Sequence, residues 1–116
     1  MDNKISAGTR LEEILRNEIT VLHALYACQK RMYECVLVRD WVLLQKETSE
    51  SETYATIFTR LEEERIACAK ALAPDAEGSR DFYAITASLS ADARARTNDL
   101  FREMKRLLLL SKTEND

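Results

Sequence analysis

An all-α fold is predicted by three features of the 116-residue sequence. Glycine and proline number only two and one, too few for the tight connections that sandwiches, barrels and doubly wound sheets need. About half of the residues are Ala, Leu, Glu, Lys or Arg, the composition of long helices and coiled coils. Apolar residues also recur at steps of three and four over long stretches, the period of an amphipathic helix. A single domain, residues 1–116, is expected. Its predicted architecture is an elongated antiparallel helical hairpin plus a third amphipathic helix, a three-helix bundle of coiled-coil character.

The first helix is placed at about 9–38. Thr9-Arg10-Leu11-Glu12 matches a capping box, in which the threonine hydroxyl and the glutamate each satisfy an orphan backbone N–H, and Gly8 ahead of it gives a flexible entry. From there Leu11, Ile14, Leu15, Ile19, Leu22, Leu25, Tyr26, Met32, Tyr33 and Val36 form one broad stripe. Asp40 is a candidate N-cap for a second helix at about 41–72, with Leu44, Tyr54, Phe58, Leu61, Cys68 and Leu72 on its apolar line. A continuous rod through Arg39-Asp40 stays open at this point, as does a local break in the polar stretch 46–53. The only proline, Pro74, and Gly78 mark a linker at about 73–79. Ser79 is the expected cap of a third helix at about 80–110, striped by Phe82, Ile85, Leu89, Ala93, Leu100, Met104, Leu107 and Leu108.

Chemistry is scarce. His23, the only histidine, sits in His-Ala-Leu-Tyr-Ala rather than a phosphoacceptor motif, and it lies five residues from Cys28, on a different helix face. No Cys or Ser has a histidine base beside it in sequence, and no glycine-rich phosphate loop occurs. An enzyme is therefore not expected, nor is a metal or other cofactor. Three cysteines without Cys-x-x-Cys spacing fit neither a disulfide framework nor a zinc site. Cys28 and Cys68 are expected to be mostly buried and Cys35 partly exposed. Seventeen basic and twenty acidic residues leave a net charge of −3, which gives no reason to expect nucleic-acid binding. No apolar run approaches the ~20 residues of a membrane span. MDNKISAGTR carries no apolar signal core, so a reduced, cytoplasmic protein is expected.

What remains is surface. Leu107 to Leu110 are four consecutive leucines, wider than one helix face, and Phe101 broadens the stripe beside Leu100. Leu89, Ala93, Leu100, Phe101, Met104, Leu107 and Leu108 are the expected partner-binding residues, in a helix-in-groove mode. Arg94, Arg96, Arg102, Lys105 and Arg106 are placed to orient an acidic partner. The blander reading of the same stripe is core packing or a homodimer seam.

The sequence also resembles a known family. The segments that carry the likeness are Leu11-Glu12-Glu13-Ile14-Leu15-Arg16-Asn17-Glu18 with Leu22 and Leu25, the junction Val38-Arg39-Asp40-Trp41-Val42-Leu43-Leu44, and Leu61-Glu62-Glu63-Glu64-Arg65. Over about residues 9–72 they resemble the FlgN family of flagellar export chaperones. The resemblance implies a cytoplasmic type III export chaperone. Such a chaperone binds the C-terminal segments of the hook-associated proteins FlgK and FlgL, chiefly through its C-terminal helix, and delivers them to the flagellar export apparatus. A different helical secretion chaperone (FliT-like) and a coiled-coil scaffold with a homodimer seam are the alternatives.

Overall fold

The structure, a computed structural model, describes residues 2–73, 86, 87 and 89–115. Among the described residues three helices make up the fold: α1 (Asp2–Val38), α2 (Trp41–Leu72) and α3 (Ala91–Asn115). No strand occurs among the described residues. Helix α1 packs along α2, and α3 packs on α1. At 1.5 Å per residue α1 is ~55 Å long, so it alone spans the 56 Å length of a molecule 23 by 19 Å across.

Helix α1 begins at Asp2, seven residues before the expected start at Thr9. The Thr9–Glu12 box lies inside the helix, where no orphan N–H groups remain to be capped. Glu12 instead reaches Arg96 of α3 at 2.7 Å. Tertiary contacts hold the early turns: Ala7 packs against the core, and its carbonyl accepts from the Cys68 thiol at 3.0 Å. Gly8 is not a flexible entry. A Cβ at that position would stand 2.6 Å from Leu89 Cδ2, so glycine lets the chain ahead of α3 approach α1.

The junction between α1 and α2 is closed at both sides. Arg39 takes a left-handed φ of 59°. Its N–H donates to the Val36 carbonyl (3.2 Å), and the Asp40 N–H donates to the Cys35 carbonyl (2.9 Å). These are the two bonds of a Schellman ending, with arginine where glycine usually sits. Asp40 then caps α2, its Oδ1 accepting from the Leu43 N–H at 3.1 Å. The helices are therefore separate at Arg39-Asp40, and α2 stays helical through residues 46–53. Thr48 and Thr53 bond back to the carbonyls of Leu44 and Ser49 there.

Helix α3 runs from Ala91, and the expected start at about 80 lies outside the described residues. Ser90 precedes its first turn, its Oγ accepting from the Ala93 N–H at 3.3 Å and its carbonyl from the Arg94 N–H at 2.8 Å. A continuous helix from 80 to 110 is thus broken at Leu89-Ser90. The 74–79 part of the linker, the Ser79 cap, Phe82 and Ile85 lie outside the described residues. Leu89 meets Gly8 and Arg96 meets Glu12, so α3 runs parallel to α1, up–down–up.

The core is a leucine cluster at the half of the hairpin that α3 covers. Leu11, Leu15 and Leu22 of α1, Leu72 of α2, and Met104 and Leu107 of α3 are its buried members. Inside it lies an ion pair: Arg65 Nε donates to both carboxylate oxygens of Glu18, at 3.0 and 3.2 Å. Glu18 is fully buried and Arg65 nearly so. Such a pair stands close to break-even against apolar residues of equal volume, but it fixes how the two helices face each other.

Candidate partner-binding surface

The stripe on α3 singled out from the sequence is a seam rather than a free face. Met104 and Leu107 are buried against α1. Leu89, Leu100, Phe101 and Leu108 are half-buried on the same cluster, and Ala93 is half-buried near the start of the helix. Helical periodicity reveals that a face is apolar, not which neighbour covers it. Here α1 covers most of it.

What α1 leaves open is the side of α3 turned toward α2. The Arg65 guanidinium stands over the Phe101 ring, 5.8 Å from its centre, which fixes Phe101 on that side. Leu108, two turns on, continues the line. Leu109 beyond it is 66% exposed. On α2, Ile66 is exposed as well. Leu72 of α2 shares the buried cluster with Met104 and Leu107 of α3, so the exposed apolar groups of α3 lie at the edge of that seam.

The basic residues of α3 are mostly engaged within the molecule. Arg96 pairs with Glu12, Arg102 with Asp99, and Arg106 with Glu103 at 2.7 Å. The Arg106 bond holds the Glu103 carboxyl below its ordinary range. The Lys105 ammonium lies 5.8 Å from the Phe101 ring centre, in reach of a cation–π contact. A generic acidic partner therefore meets far less free positive charge than the sequence suggests.

A second polar arrangement joins α1 to α2 nearer the turn, and sequence reasoning missed it. Cys28, Glu47 and Glu50 present donor atoms within 4.8 Å of one another, the one such cluster among the described residues. Cys28 and Glu47 are buried. Arg31 supplies the counter-charge, its Nε 2.9 Å from Glu47 Oε2 and its Nη2 3.4 Å from Cys28 Sγ. With a guanidinium already in place, the cluster reads as a compensated hairpin contact. Burial, and then the hydrogen bond to Glu47, push the Cys28 thiol up.

The cysteines are free thiols, with burial redistributed from the expected order. Cys28 and Cys35 are buried and Cys68 is intermediate. Cys35 falls on the α2-facing line of α1, seven residues after Cys28. His23 is exposed, as a surface histidine should be. No helix among the described residues is long and apolar enough to cross a membrane. No protein-family model, curated protein or solved structure matches the chain.

Proposed function

We propose that the chain is an export chaperone of the FlgN kind. It works in the cytoplasm, holds the C-terminal segments of FlgK- and FlgL-like hook-associated proteins, and presents them to the flagellar export apparatus. The observation that supports this reading is the apolar edge of α3, where Leu109 is 66% exposed next to half-buried Leu108 and Phe101. A partner segment that folds into an amphipathic helix would lay its apolar face along that line, the helix-in-groove mode. Covering such residues removes apolar surface from water at about 25 cal/mol per Å², without disturbing the seam to α1.

Calorimetric titration of the chain with synthetic C-terminal segments of FlgK and FlgL tests the proposal. The intact chain should bind at least one of them. Leu109→Asp should weaken binding at least ~10-fold, about 1.4 kcal/mol, with melting unchanged because the side chain points to solvent. Absence of binding to both segments would overturn the reading.

A further inference from the structure

Seven of the nine large exposed hydrophobic residues among the described residues fall in one eleven-residue window around the α1–α2 turn. Val36, Leu37 and Val38 close α1, and Trp41, Val42 and Leu43 open α2; Tyr33 stands one turn below. Val42 is 83% exposed, Val38 74% and Trp41 58%. This end lies beyond the leucine cluster, which α3 helps to close. Apolar side chains here cover both helix ends on all sides, so they cannot all be turned inward by any rotation of the hairpin.

We propose that this end of the hairpin is a homodimer interface, joining two copies of the chain end to end about a twofold axis. The proposal is independent of the export-chaperone reading. Three observations select a second copy as the occupant. Seven large apolar side chains, 40–83% exposed, stand together around one turn, and a contiguous apolar patch of this kind marks a surface that a partner covers. Between Glu34 and Lys46 the only charged residues are Arg39 and Asp40, adjacent and of opposite sign. Across a twofold axis each Arg39 faces the other copy's Asp40, and the pairing is made twice, as an isologous contact requires. Finally, Arg39 holds a left-handed φ of 59°, where glycine would be free of strain. A charged side chain kept at a strained position has a use there. A membrane surface would instead call for an excess of basic residues, and here Glu34 and Asp40 balance Arg39 and Lys46.

Sedimentation of the full chain reads the result directly. The 13.3 kDa chain should sediment as a dimer at micromolar concentration. Trp41 is the only tryptophan, so its emission should shift to the red on dilution as the ring becomes hydrated. Val42→Glu should raise the dissociation constant at least ~100-fold while the circular dichroism spectrum stays that of the parent. Arg39→Glu and Asp40→Lys chains, each weakened alone, should pair with each other when mixed. A wild-type chain that stays monomeric at about 100 μM would overturn the proposal. So would a dimer that Val42→Glu leaves intact. Co-flotation of a monomeric chain with phosphatidylcholine vesicles would also overturn it and assign the surface to lipid.

Discussion

Replacing Arg65 by leucine removes the partner of a carboxylate that has no access to water. Glu18 is fully buried and receives both of its direct bonds from Arg65 Nε. Glu62, the other acid near Arg65 at 3.6 Å, is itself substantially exposed and contributes little. Breaking a buried pair by deleting one member is expected to cost about 3–5 kcal/mol. For a chain of this length each kcal/mol lowers the melting temperature by roughly 4 °C, so the loss should be roughly 12–20 °C. Burial already holds the Glu18 carboxyl above its ordinary value of 4.5, with the Arg65 charge opposing the rise. Without Arg65 the folded-state pKa climbs further while the unfolded value stays. A raised folded pKa means that stability is fully present below the unfolded value and is lost as pH rises through the folded one. The penalty of Arg65→Leu should therefore be smallest near pH 4.5 and grow toward neutrality. Urea denaturation followed by circular dichroism at several pH values measures it. Glu18→Leu combined with Arg65→Met should recover most of the loss, because two apolar groups replace two desolvated charges. A penalty below ~1 kcal/mol at neutral pH, or one equal at all pH values, would refute the reasoning.

Leu107→Asp places a charge within the cluster and should lower the melting temperature by about 10 °C or more, as expected for several kcal/mol. Leu109→Asp, at an exposed position, should stay within about 0.5 kcal/mol of the parent by the same melting assay. Arg39→Gly relieves the left-handed strain and should stabilise the monomer by about 0.5–1 kcal/mol in urea titrations. The three thiols are all pushed upward, chiefly by burial. Native protein should therefore react slowly with a thiol reagent at about pH 8 and rapidly once unfolded. For the same reason stability should decline as pH rises above the ordinary thiol value of 9.0.

The sequence by itself determined the fold class and placed a second helix at about 41–72 with Asp40 as its cap. The separation at Arg39-Asp40 and the continuity through 46–53 came from the structure. Fold class and cap are local matters. Scarce glycine and proline leave only helix available, Asp40 can cap only the helix that starts beside it, and an apolar line of period 3.6 declares itself within a few turns. Tertiary structure decided the rest. Thr9-x-x-Glu12 has the residues of a cap, but docking of Ala7 beside Cys68 carries the helix back to Asp2 and turns Glu12 toward Arg96. Ser90 lies before the first turn of α3, and a single serine in sequence does not declare itself as that cap. Glu18 and Arg65 stand 47 residues apart, and nothing local marks either as buried. The α3 stripe is visible as apolar, yet whether it meets α1 or a partner depends on where the chain returns after Leu72. An apolar residue carries a preference for leaving water but none for a particular neighbour. The hairpin end makes the same point in reverse. Its residues, spelled out in sequence from Val36 to Leu43, have the character of a core, and only the packing of three helices leaves them exposed.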